Sequence, residues 1–293
     1  MLNLNPQLTI APASDANGEN PMKNLTAYGV LAGALLALGA APATLPSSEN
    51  PARTMPFTIS RETTAIIAPL DKNGRPDYVA ALNNQIAPPV PAENNGYALW
   101  LRLVGSKTIY PSIAAELEQR LGVKDLPPTG KLKSFDDYLK QTGAADPQAH
   151  LSDTLITAGK QLWKARDYPA LADYLKTQSP ALADARAALN APAWWKPYVS
   201  RNGHLYGVML PTLSSLRQVA CALCADATLQ AGQQNFDAFL ADVIAVKQLT
   251  RHLTAQPVLL ERYLGAQLEC RVDAAIGAAI GSGTFSPKDR RQL

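Results

Sequence analysis

Two cysteines three residues apart, in Cys221-Ala222-Leu223-Cys224, are the first residues of this chain whose types and spacing could do chemistry. Such a pair works as a redox centre when a helix begins at its first cysteine, because the helix N-terminus then lowers the thiol pKa. Here the pair falls inside a helical pattern that starts at Leu213, so that field is missing. A zinc site needs four ligands, and Cys270 and His252 are the residues that could complete one. The pair is therefore read as small buried residues. Any disulfide is expected between Cys270 and either Cys221 or Cys224, across neighbouring helices, since residues three apart on one helix rarely meet the bridge geometry. No metal and no cofactor is expected.

The histidines are His150, His204 and His252. His204 sits in the turn Arg201-Asn202-Gly203-His204. His252, beside Arg251, is placed on the solvated side of its helix. No Gly-x-Ser-x-Gly, His-Glu-x-x-His or phosphate-binding glycine loop occurs. Two carboxylates that meet only in the fold remain open as an acid–base pair.

Aromatic residues are 6% of the chain, yet Trp194-Trp195-Lys196-Pro197-Tyr198, His204 and Tyr206 crowd one loop region. Exposed, this cluster would stack on sugars or grip an apolar partner; buried, it would plug the junction between two halves. A second concentration, of polar residues, comprises Asp77, Tyr78, Asn83, Glu93, Asn94 and Asn95. Caps and turns account for most of these, because Asp and Asn serve the unpaired backbone groups at helix ends.

The elements that must position these groups are helices. Short helices are expected from Pro76-Asp77 to before Pro88-Pro89, from Pro91 or Glu93 to Val104, over 113–121 and over 135–140. Others are expected over 151–166, 168–177 and 180–190, each bounded by Pro or Gly. Three longer ones follow: Leu213 to Gly232, a helix capped by Asn235 and carrying Phe236, Phe239, Val243 and Val246, and Val258 to about Ile280. The last is apolar or small on both sides, so it is expected to pack on two faces. Short connections make these three antiparallel neighbours. Thr63 to Ile67 is β-branched and predicts a lone extended segment. The fold class is all-α: antiparallel helical hairpins, helical-repeat-like towards the C-terminus.

Met22-Lys23-Asn24, an apolar run from Leu25 to Leu38 and Ala41-Pro42-Ala43 have the order and lengths of a secretory signal peptide. The expected start is Met22 and the expected cleavage follows Ala43, leaving 250 residues, enough for a real core. Residues 1–43 are then an upstream extension plus signal, 44–56 a flexible linker, 57–190 an N-terminal helical region and 191–293 a helical-hairpin region. The helix signal Ser286-Pro287-Lys288-Asp289 so near Leu293 predicts that the sequence is a fragment. A balance of 27 basic to 24 acidic residues, without clusters, argues against a nucleic-acid partner. The membrane is met only transiently, through the signal peptide.

The order Glu62-Thr63-Thr64 to Pro69-Leu70, Gly74 to Asp77-Tyr78, Leu82-Asn83, Glu93-Asn94-Asn95, the helix pair around Gly232 and Leu249 to Leu253 resembles uncharacterised exported helical proteins of planctomycete bacteria. The resemblance runs from about Phe57 to the end; Cys221 and Cys224 depart from its small aliphatic pattern. It implies a large paralogous group of unknown function, with no site residues to carry over. The expected function is an exported helical binding scaffold, periplasmic or extracellular, with a protein or glycan partner in the cell envelope. The alternative is an envelope hydrolase acting on glycan. The expected contact surface is Trp194, Trp195, Tyr198, His204 and Tyr206.

Overall fold

The computed structural model describes residues 58–86, 90–143 and 151–291, which belong to one unit, 54–293. The signal-peptide segment 22–43, the linker 44–56 and His150 lie outside the described residues. Among the described residues there are ten α-helices and no strand, so the fold is all-α. Thr63 to Ile67 joins no sheet; the nearest pairing is an isolated bridge between Leu70 and Pro76.

Helix boundaries follow local chemistry. Asp77 opens α1 (Tyr78–Gln85) by accepting from the backbone N–H groups of Val79 and Ala80. Asn95 opens α2 (Gly96–Val104), which stops at Gly105 with a positive φ. Proline occupies the first turn of α3 (Pro111–Leu121), and Gly122 ends it in the left-handed region. Ser134 caps α4 (Phe135–Thr142).

Two expectations about length fail. Helix α5 (Leu151–Ala158) ends well before Arg166, because the chain turns at Gly159 to pass beneath α7. A Cβ at Gly159 would stand 3.1 Å from Cys224 Cβ, so the two segments approach closely there. Trp163 then drops into the core and donates its indole N–H to Ala225 O at 2.9 Å. Conversely, the two helices expected over 168–177 and 180–190 are one, α6 (Pro169–Leu189). Pro180 lies inside it on the exposed side, where the carbonyl it leaves unpaired can take water.

The C-terminal hairpins are α7 (Leu213–Gly232), α8 (Phe236–Thr254) and α9 (Leu259–Gly281), followed by α10 (Pro287–Arg290) with a Ser286–Asp289 capping box. Helix α7 is the axis of the molecule: every residue from 221 to 229 is buried. Its alanines let α5, α6, α8 and α9 all approach closely. Trp100, Leu182, Leu223 and Phe239 sit in one core cluster, so regions 57–190 and 191–293 share a core. A second cluster, around Tyr97, Leu101, Ile113 and Leu117, includes Trp195 and Val199. Helix α9 does not pack on two faces. Leu264, Leu268, Val272, Ala275 and Ala279 are buried, whereas Leu259 and Tyr263 remain 79% and 60% exposed.

Candidate functional site

The two residue concentrations seen in the sequence meet at one place. Segment 193–198 runs alongside the end of α1 and the start of α2 and is held by two asparagines acting as a pair of clamps. Asn95, fully buried, accepts from Trp195 N at 3.0 Å and donates to Trp195 O at 2.8 Å. Asn83 does the same for Tyr198, at 2.7 and 2.8 Å. Each amide replaces the backbone partner that a strand would have supplied, so the backbone N–H and C=O groups of Trp195 and Tyr198 are paired although the segment is irregular. Gly96 permits the close fit: a Cβ there would lie 2.4 Å from Ala188 O.

Trp195 and Tyr198 are buried, at 8% and 0% exposure. Trp194 is half-buried, edge-on to Tyr97 and stacked on His252 at 5.1 Å between ring centroids. The expected contact surface of Trp195 and Tyr198 is therefore corrected to a plug between the two regions. His252 is corrected too. Instead of a solvated face it meets Trp194 and places Nε2 3.1 Å from Leu189 O, and burial lowers its pKa. His204 and Tyr206 do stay exposed, stacked on each other in the 200–208 turn.

Behind the plug lies a polar network that the sequence reading missed. Lys196 and Glu261, 5% and 2% exposed, form an ion pair. Tyr198 donates its hydroxyl to Glu261 at 2.6 Å and lies 3.1 Å from Gln256 Oε1, while Lys196 also sits over the Tyr198 ring. Burial pulls the Lys196 ammonium below its usual range, with Glu261 opposing. Burial and then Glu261 push the Tyr198 phenol up. The lysine offers its charge to Glu261 and not to a substrate. The network ties the start of α9 to the plug.

A second missed cluster links α6, α7 and α8. Arg186 donates to Asp242 at 2.6 Å and to Asp226 at 3.0 Å. Asp242 is fully buried, and its Oδ2 has no hydrogen-bond partner among the described residues. Burial first, then the Asp226 charge, pushes its carboxyl up to about 8, with Arg186 opposing. One signal for such residues does exist in the sequence. Asp242 and Glu261 stand at core positions of apolar helical stripes, three residues from Phe239 and Leu264 respectively.

All three cysteines are free thiols. Cys221 and Cys224 are buried, and burial raises both thiols, which removes the reactivity of a redox pair. The expected bridge to Cys270 is not formed: α9 turns Arg271 towards the pair and leaves Cys270 exposed on its outer side. Among the described residues no group of three His, Cys, Asp or Glu could hold a metal ion. Asp77 is a cap, Tyr78 is half exposed, and Glu93 and Asn94 are exposed in a short 3-10 turn over 92–94.

One of several open features among the described residues is a cleft of about 540 Å³ bounded by α4, α5, α7 and α9. Leu155, Ile156, Leu213, Leu260 and Tyr263 supply apolar wall, and Arg217 and Asp136 supply charge. Arg217 is exposed and has no ion-pair partner among the described residues. No family model, no curated protein and no solved structure matches this chain.

Proposed function

We propose that the protein is an exported helical scaffold that acts by binding. The cleft between α4, α5, α7 and α9 takes an apolar segment of an envelope partner that carries an anionic group. The observation that carries this reading is the cleft itself: apolar walls, half-exposed Leu260 and Tyr263, and the unpaired Arg217 at one place. Large exposed apolar residues beside a concave surface are what a binding site needs, and a lone guanidinium fixes orientation by pairing with a carboxylate or similar group. Export rests on the Met22 to Ala43 pattern, and the resemblance to exported planctomycete proteins supports it. Among the described residues no helix is long and apolar enough to cross a membrane.

The glycan-hydrolase reading needs an open aromatic platform facing paired acids. Trp195 and Tyr198 are buried, Glu261 is held by Lys196, and Asp226 and Asp242 are bridged by Arg186. The binding reading is the better supported.

Anilinonaphthalene sulfonate, an aromatic body with one anionic group, tests the cleft directly. Saturable fluorescence enhancement is expected with the parent protein. Arg217→Glu should weaken binding about tenfold, equivalent to roughly 1.4 kcal/mol, and Leu260→Asp should remove it, both with unchanged helicity. Equal binding by all three proteins would refute the cleft as the site.

A further inference from the structure

We propose that the outward face of α9 is the contact through which two copies of this chain pair antiparallel. Leu259, Tyr263, Ala266, Cys270, Gly277 and Ile280 are all exposed and, with Asp273 between them, recur at steps of four and three. On a helix turning 100° per residue this stripe lies opposite the buried stripe of Leu264, Leu268, Val272 and Ala275. A repeat averaging 3.5 residues is the pattern by which one helix packs along another. A helix that is apolar all round belongs in an interior, and α9 has an interior on one side alone.

Charge selects the occupant. Arg262, near the start of α9, is exposed and makes no ion pair among the described residues; its Nε donates to Gln256 O. Further along, Glu269 and Asp273 both pair with Lys247 of α8, at 2.5 and 2.6 Å, while Arg271 is turned towards Cys221 and Cys224, so Asp273 is the charged residue of the outward stripe. The helix is thus basic at one end of its stripe and acidic beyond the middle. A parallel pair would set Asp273 against Asp273, whereas an antiparallel pair brings each Arg262 beside the Asp273 of the second copy.

Size agrees with that direction. With Ala266 opposite Cys270 of the second copy, Leu259 falls over Gly277, where a Cβ would meet nothing within 4 Å. Tyr263 then faces Asp273, a carboxylate to which its hydroxyl can donate. Small residues at the centre let the two backbones approach closely. The contact shares Tyr263 with the proposed cleft, which α9 borders with Leu260, Tyr263, Leu264 and Gln267, and the rest of its stripe lies outside that cleft. Ala266 does not line the cleft, so a change there tests the pairing alone.

Sedimentation equilibrium of the full chain across a dilution series is the measurement. A reversible dimer is expected. Ala266→Arg should leave a monomer at every concentration with the parent's circular dichroism. Arg262→Asp alone should weaken the dimer, and adding Asp273→Arg should restore it. A parent that stays monomeric throughout the series, a dimer that survives Ala266→Arg, or no restoration by the paired charge swap would each overturn the proposal.

Discussion

At the scale of the residue, Asp242 makes a pH dependence that can be signed. Its carboxyl is held near 8 in the folded protein, whereas an unfolded chain releases that proton near 4. Between those values the native state binds more protons, so this group's contribution to stability is full below about pH 4. It is lost as pH rises, by at most ~1.4 kcal/mol per pH unit, until about pH 8. Urea unfolding at several pH values should show stability falling from pH 5 to pH 8, and Asp242→Asn should flatten that slope. A parallel pair of curves would show that Asp242 is ionised throughout. For the Lys196–Glu261 pair, Lys196→Met strands a buried carboxylate and should cost ~3–5 kcal/mol, whereas Lys196→Met with Glu261→Gln should cost less. The urea midpoints of the two variants decide this, and equal losses would mean that the charge is not the cause.

Helix α6 shows at the scale of the element how a strong local rule yields to packing. Proline in a helix interior removes one hydrogen bond and costs about 3 kcal/mol, which is why the sequence predicts a break before Pro180. The flanking residues Leu175, Gln178, Ala181, Leu182 and Ala185 are all buried, and their combined burial holds both halves in one rod. Because Pro180 itself is exposed, Pro180→Ala should raise the melting temperature, with a gain of about 1–3 kcal/mol. A lower melting temperature would mean that the proline ring itself contributes to packing. Gly96 is the opposite case, a residue with no side chain on which two elements depend. Gly96→Ala would drive a Cβ into Ala188 O and Trp194 and should destabilise the α2–α6 contact by several kcal/mol in thermal unfolding. Asn95→Ala should also destabilise, by ~1–3 kcal/mol, since it leaves the Trp195 amide unpaired.

For the whole molecule, the prediction that bears on its place in the cell is the mature N-terminus. N-terminal sequencing of protein from its native compartment should begin at or near Thr44, and recovery of Met1 would remove the export reading. Most of the helices were legible in the sequence because they rest on neighbours a few residues apart: Asp77 and Asn235 at the starts, Gly105 and Gly122 as stops, and the stripe from Phe239 to Leu253. The all-α class follows from the same local spacing. Side-chain environment was not legible, because it depends on residues about a hundred positions apart. The sequence shows Asn95 and Trp195 as members of separate groups, and the tertiary structure makes them one clamp. It shows an aromatic cluster and a histidine beside an arginine, and packing turns the first into a plug and lays the second against it. Asp242 and Glu261 read as ordinary acids until neighbouring helices take away their water, since desolvation is a property of the assembled core and not of any stretch of chain. The outer stripe of α9 completes the contrast: its apolar spacing was written in the sequence, and which side would be left uncovered was decided when α7 and α8 took the other.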